Sequence, residues 1–273
     1  MRVQPSKGFT LVELIIVIVI TGIVAVVGAV IIQGGVGGYV DQERRASLVA
    51  DADRAMRRMS REIRLALPNS IRVNQCAGNP CVEFLATVAG GRYREGPGPA
   101  PVGGDPNRRL RFNQPDNQFN STGPIGLADG SYPYYLSVYN TGQSGNDAWA
   151  GQSMTQARGV TLADDVAVPG ETRVTLANAH QFPLSSPRQR FYLVEDAVAF
   201  VCETGRINRY RYDRDQAFNA NAGNTLVNRV ESCEFQYDAG SSTRAGLLTL
   251  TLVIQEEGER VRLQHQIQVS NTP

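Results

Sequence analysis

The sequence is short of the residues on which most site chemistry rests. It has two histidines, four cysteines, one tryptophan and a single lysine, Lys7. So few histidines and cysteines argue against a His-rich metal centre or a zinc ribbon. No Gly-x-Ser-x-Gly elbow, phosphate-binding P-loop or His-Glu-x-x-His pair occurs, so the common signatures of hydrolases, nucleotide-dependent enzymes and metalloproteases are missing. Charge of one sign is lacking too: 27 Lys+Arg stand against 26 Asp+Glu, a formal net charge of +1. That balance gives no global field for nucleic acid. Nor is the chain poor in apolar residues. At 42% hydrophobic and 19% charged over 273 residues, it has the material for a real core in one large domain or two small ones.

The apolar residues are concentrated near the N-terminus. Between Phe9 and Ile32, 24 residues, only Thr10, Glu13 and Thr21 are polar. From Leu14 to Ile32, 19 residues, Thr21 is the sole polar side chain. At about 1.5 Å per residue such a helix reaches roughly 28 Å, close to the hydrocarbon thickness of a bilayer. A secretory h-region is shorter and is followed by a small-residue cleavage site; here Gln33-Gly34-Gly35-Val36-Gly37-Gly38 and a charged stretch follow. Arg2 and Lys7 precede the span and predict a cytoplasmic N-terminus. Glu13 is the residue out of place. A carboxylate within a span costs on the order of 2.5–3.5 kcal/mol, so it needs a positive partner. Cleavage between Gly8 and Phe9 creates one, a new amine about one helical turn from Glu13.

Lys7-Gly8-Phe9-Thr10-Leu11-Val12-Glu13-Leu14 resembles the prepilin signal of type IV pilins and type II secretion pseudopilins. The resemblance implies that a membrane prepilin peptidase cuts after Gly8 and methylates the amine of Phe9. It also implies that Glu13 neutralises the N-terminus of a neighbouring subunit during assembly. Loss of residues 1–8 removes Arg2 and Lys7 and takes the formal charge from +1 to −1. Val30 stands where many major pilins have a helix-kinking proline, so the Gly34–Gly38 cluster is the expected source of flexibility. Ala25 and Ala29 have a small-xxx-small spacing that suits close helix approach.

Beyond the glycines, residues 39–67 read as a second, amphipathic stretch of helix. Val49, Ala52, Met56, Met59, Ile63 and Ala66 follow one another at spacings of 3 and 4. That stripe is expected to pack on the chain's own sheet. The arginines around it, interspersed with acids, read as a solvated face. Pro68-Asn69 is the predicted stop.

From residue 70 period-2 alternation takes over. Leu248, Leu250, Leu252 and Ile254 alternate with Thr249, Thr251 and Val253; Glu256-Glu257-Gly258-Glu259 turns the chain, and Val261 to Val269 alternates again. Further strands are predicted at residues 71–74, 82–88, 109–112, 134–139, 173–176, 190–202, 207–212 and 230–237. Residues 90–130 hold nine glycines and six prolines in 41 positions and read as loop, as do 140–158 and 213–226. The expected fold class is α+β, a long N-terminal transmembrane and amphipathic helix packed on one or two antiparallel sheets, as in pilins. The expected organisation is a leader over 1–8, a membrane helix over 9–32, an amphipathic periplasmic helix over 33–68 and a β-rich head over 69–273.

Cys76, Cys81, Cys202 and Cys233 allow three disulfide pairings. The expected one is Cys76–Cys81 with Cys202–Cys233, the connectivity remaining open; a zinc site is disfavoured by the wide second spacing. His265, on an apolar strand face, reads as a core histidine rather than a base, and His180 lies in a loop. Asp164-Asp165 and Asp213-Arg214-Asp215 are the nearest approach to calcium ligands and read as surface turns. Trp149 reads as a loop anchor, with sugar stacking the rival. No catalytic residue, metal or cofactor is expected.

The stretch from Ala50 to Arg64, followed by Ala66-Leu67-Pro68-Asn69-Ser70, resembles the large PilW/GspJ-like group, and the Cys76-x4-Cys81 loop fits it. The resemblance implies a non-enzymatic minor pilin, single-pass in the inner membrane with its head in the periplasm, and later in the pilus at the cell surface. Its implied partners are the prepilin peptidase, other minor pilins and a major pilin, the inner-membrane assembly platform and inner-membrane lipid, with no nucleic acid. A type II secretion pseudopilin and a tip adhesin acting through loops 90–130 or 140–158 are the alternatives.

Overall fold

The structure, a computed structural model, describes residues 8–96, 109–220, 223–240 and 245–271, and the side chains of 30–37 lie outside this set. Arg2 and Lys7 of the expected leader, and part of the 90–130 loop, therefore fall outside the described residues.

One helix, α1 (Leu11–Ile63), carries both predicted helical stretches. Thr10 caps it: Glu13 N donates to Thr10 Oγ1 at 3.2 Å, and Thr10 N donates back to Glu13 Oε2 at 3.3 Å. This is a reciprocal capping box. The backbone stays helical through Gly34–Gly38, so the glycine cluster expected to supply flexibility lies inside a continuous helix. Glycine lowers helix propensity by about 1 kcal/mol, yet a helix of 53 residues holds its ladder across the cluster.

The helix ends at Ile63 with Arg64 as C-cap, earlier than Pro68 predicts. Leu65 N and Ala66 N bond Glu62 O and Ile63 O in tightened final turns. The next backbone groups then turn to the sheet. Leu67 N donates to Leu85 O at 2.8 Å, and Thr87 N donates to Leu65 O at 3.0 Å. Pairing with a strand satisfies groups that continued helix would otherwise use.

Twelve strands follow: β1 (Arg72–Cys76), β2 (Asn79–Arg92), β3 (Asp116–Ser121), β4 (Gly130–Tyr132), β5 (Tyr135–Val138), β6 (Val160–Asp164), β7 (Thr172–His180), β8 (Arg190–Glu203), β9 (Gly205–Tyr212), β10 (Asn224–Asp238), β11 (Gly246–Glu256) and β12 (Glu259–Val269). The fold class is α+β with antiparallel pairing throughout. The larger sheet has the order β1-β2-β8-β9-β10-β11-β12, with β5 on the first half of β8 beside β9. The smaller has the order β3-β7-β6-β4. Residues 109–112 form bends rather than the predicted strand. The buried Asp116 carboxylate accepts from Arg111 N at 3.1 Å, holding a turn there, and the strand starts at Asp116 instead.

The β11–β12 hairpin matches its prediction. Leu248, Leu250, Leu252 and Ile254 are buried, Glu256 faces Glu259, and Glu257 and Gly258 both have positive φ. Two such residues make the turn whose twist suits a two-residue hairpin loop.

Two cores result. In the first, Leu48, Ala52, Ala55, Met56, Met59 and Ile63 of α1 pack on Phe84, Phe200, Phe235, Leu250 and Ile267 of the larger sheet. The stripe thus starts at Leu48, fully buried, and not at Val49, which is 38% exposed. The second joins the far ends of β5 and β8 to the smaller sheet, with Phe119 edge-on to Phe191 at 5.4 Å.

Candidate functional site: the N-terminal helix

The first turns of α1 bring Gly8, Phe9, Thr10 and Glu13 together at its exposed end. Thr10 Oγ1 also donates to Glu13 Oε2 at 3.2 Å, so the acid accepts two bonds from one residue. It lies at the positive end of the helix dipole, which favours a carboxylate. The capping role of Glu13 is one that its reading as a counter-charge overlooked. The signal, Thr-x-x-Glu before an apolar run, is plain in the sequence.

Leu11–Ala29, 19 residues with Glu13 as their only charge, is strongly apolar, and none of its side chains is buried by the rest of the chain. Its one interior hydroxyl, Thr21, donates back to Val17 O at 2.6 Å and so presents no free donor to an apolar surround. A bare apolar cylinder of this length is stable only in lipid or against other helices. Ala25 and Ala29 are both exposed on it.

Polar ties fix the following turns of α1 to the larger sheet. Arg44 pairs with Glu257 at 2.5 Å in the β11–β12 turn, and Asp51 with Arg229 at 2.7 Å. Glu62 pairs with Arg209 at 2.6 Å, and Ser60 meets His265 Nε2 at 2.9 Å. His265 is thus a histidine of the helix–sheet interface.

Disulfides link Cys76 to Cys81 and Cys202 to Cys233. The first closes the β1–β2 hairpin and the second joins β8 to β10. Glu83 lies beside Cys76 and Cys81, but both sulfurs are bonded to each other and cannot act as thiolate ligands. Glu83 itself is buried and accepts from Arg72 Nε at 3.0 Å, Asn74 Nδ2 at 2.9 Å and the Tyr212 hydroxyl. Burial alone would raise its pKa; the bonds from Tyr212, Asn74 and Arg72 outweigh burial and hold it below the usual value.

The remaining candidates also have partners. Asp165 is buried rather than at a surface turn, and accepts from Asn120 Nδ2 at 2.7 Å and Arg173 at 2.9 Å. Asp213 accepts from Tyr135 at 2.6 Å and Arg158 at 2.8 Å, and Asp215 is paired with Arg214. Arginine in each cluster opposes a bound cation. His180 stands edge-on to Phe182 at 4.6 Å, and burial depresses its pKa. Trp149 donates to Ser70 O at 2.7 Å, with the Arg72 guanidinium 3.6 Å from its ring centroid. One face and the only donor of this indole are taken, as befits a loop anchor.

Residues 4–29 match a family model described as the prokaryotic N-terminal methylation motif. No curated protein and no solved structure matches the chain. The motif, lying on an exposed apolar helix, supports a protein of the type IV pilin-like class. It implies processing by a prepilin peptidase and assembly with other pilins, and a single N-terminal helix of this kind fits membrane anchoring.

Proposed function

We propose that the protein is a minor pilin of a type IV pilus, similar to MshO of the mannose-sensitive haemagglutinin pilus, that takes part in pilus initiation and assembly through its N-terminal helix. In this reading residues 1–8 are a leader, 9–32 span the inner membrane, 33–68 hold the periplasmic part of the helix, which ends at Ile63, and 69–273 form the head. Prepilin peptidase cuts between Gly8 and Phe9 and methylates Phe9. The span holds the subunit in the inner membrane until the assembly platform draws it into a filament. Helix–helix burial then replaces lipid, and Glu13 with a neighbour's Phe9 amine sets the axial register. The role is structural, not enzymatic.

The observation that carries this reading is the uncovered apolar surface of Leu11–Ala29 directly after Gly8-Phe9 and around Glu13. The likeness to MshO rests on residues 50–70 and the Cys76–Cys81 loop. Intact-mass and N-terminal analysis of the protein from its native membrane tests it. The expected chain begins with N-methyl-Phe9; a chain that retains Gly8, or is trimmed beyond Ile32, overturns the reading. Co-purification with the other minor pilins and the major pilin is the expected outcome of crosslinking in the intact envelope.

A further inference from the structure

β2 and β8 run on past the end of α1, and where they finish Arg92 stands directly opposite Arg190 in the antiparallel register. Like charges facing each other across a ladder are destabilising. With Pro187, Arg188 and Gln189, this pair lines a hollow of about 360 Å³. Most arginines of the head sit against a carboxylate, but among the described residues none of Arg92, Arg188 and Arg190 does. Glu95, three residues past Arg92, is engaged at 2.7 Å by Gln189 Nε2. Among the described residues, three arginines therefore line the hollow with one carboxylate near it.

The turn that presents them is rigidly built. Ser186 is buried, and its Oγ accepts from Arg188 N at 3.3 Å and Arg190 N at 3.1 Å, while its carbonyl accepts from Gln189 N at 2.9 Å. The buried Tyr93 hydroxyl accepts from Ser186 N at 2.8 Å, and Tyr93 N donates to Gln189 O at 2.8 Å. Gln189 is held at φ 59°, a left-handed conformation that side chains other than glycine and asparagine seldom adopt.

We propose that the hollow formed by Arg92, Arg188 and Arg190 binds a phosphate group, free or as the monoester of a sugar. Guanidinium forks match phosphate oxygens bidentately, and a doubly charged group offsets the repulsion between Arg92 and Arg190. The hollow is of ligand size. Among the described residues its walls carry no aromatic ring to stack a base, and Pro187 is their one apolar side chain, too little for an acyl chain, so the phosphate comes from a small polar molecule in water.

The test is isothermal calorimetry on the full chain in dodecyl maltoside at constant ionic strength, with inorganic phosphate, glucose 6-phosphate and glucose as titrants. Saturable binding of the phosphorylated titrants and none of glucose is expected. Tighter binding of glucose 6-phosphate identifies a sugar phosphate as the ligand class, and equal binding identifies free phosphate. Arg188→Gln and Arg92→Gln should each weaken binding about tenfold or more, the worth of one charge-assisted contact. Arg262→Gln, which removes an exposed charge from β12, should leave it unchanged. Thermal midpoints no lower than the parent's establish that the variants are folded. Absence of saturable binding, parental affinity in Arg188→Gln and Arg92→Gln, or an equal loss in Arg262→Gln overturns the proposal.

Discussion

Glu13 combines two roles that a single carboxylate rarely holds. In the uncleaved chain it closes the capping box on Thr10, and in the proposed filament it faces a cationic amine. Glu13→Ala should leave the cut after Gly8 intact but reduce incorporation into filaments. A net pairing of about 1.4 kcal/mol sets a tenfold change in occupancy, readable by comparing cleaved protein in membranes with that in sheared pili. Normal piliation would remove the charge-pair account. Glu83 is the corresponding residue of the head. Glu83→Ala leaves Arg72, Asn74 and the Tyr212 hydroxyl without their acceptor, at about 3 kcal/mol. Because its folded pKa is lowered, its contribution is complete above the unfolded value of about 4.5 and is lost as pH falls below that value. The thermal midpoints of the parent and Glu83→Gln should therefore draw together as pH falls below about 4.5.

At the scale of the element, α1 is one helix performing two tasks. Its first 19 residues, Leu11–Ala29, carry one charge, Glu13, and are uncovered, and its last turns bury one stripe against the sheet. The boundary of that stripe separates two adjacent residues. Leu48→Ala should cost about 2–4 kcal/mol in urea unfolding, because Leu48 is fully buried. Val49→Ala should cost under about 1 kcal/mol, because Val49 lies on the open face beside Ala46 and Ala50. Equal losses would place the contact stripe elsewhere. Trp149, the only tryptophan, reports the transition by its fluorescence.

For the whole molecule, the two disulfides secure different amounts of chain. Cys202–Cys233 spans 31 residues and Cys76–Cys81 spans 5. Loop-closure entropy grows with that separation. Replacing Cys202 and Cys233 by serine should lower stability by about 3–4 kcal/mol, and replacing Cys76 and Cys81 by about 2 kcal/mol. Denaturant midpoints of the two double variants give the order directly. The ties of Arg44, Asp51, Ser60 and Glu62 to the larger sheet hold the sheet against the helix's second half, so force on the helix is passed to the head.

What the amino-acid sequence determined by itself is what local chemistry and periodicity encode. The apolar run, the Gly8-Phe9 junction with Glu13 beyond it, the alternation of β11 and β12 and the Glu257-Gly258 turn need no distant contact to be recognised. The α+β class followed from them. Other features were decided by residues far apart in the chain. Leu48 rather than Val49 faces inward because the sheet, not the helix, sets which side is covered. The helix stops at Ile63 because Leu65 and Leu67 pair with β2. β3 and β4 are short and polar and β6 is only five residues long, and they are strands because β7 supplies a partner to β3 and β6, and β6 to β4. The meeting of Arg92 with Arg190 arises only from the register of β2 on β8, which no local pattern records.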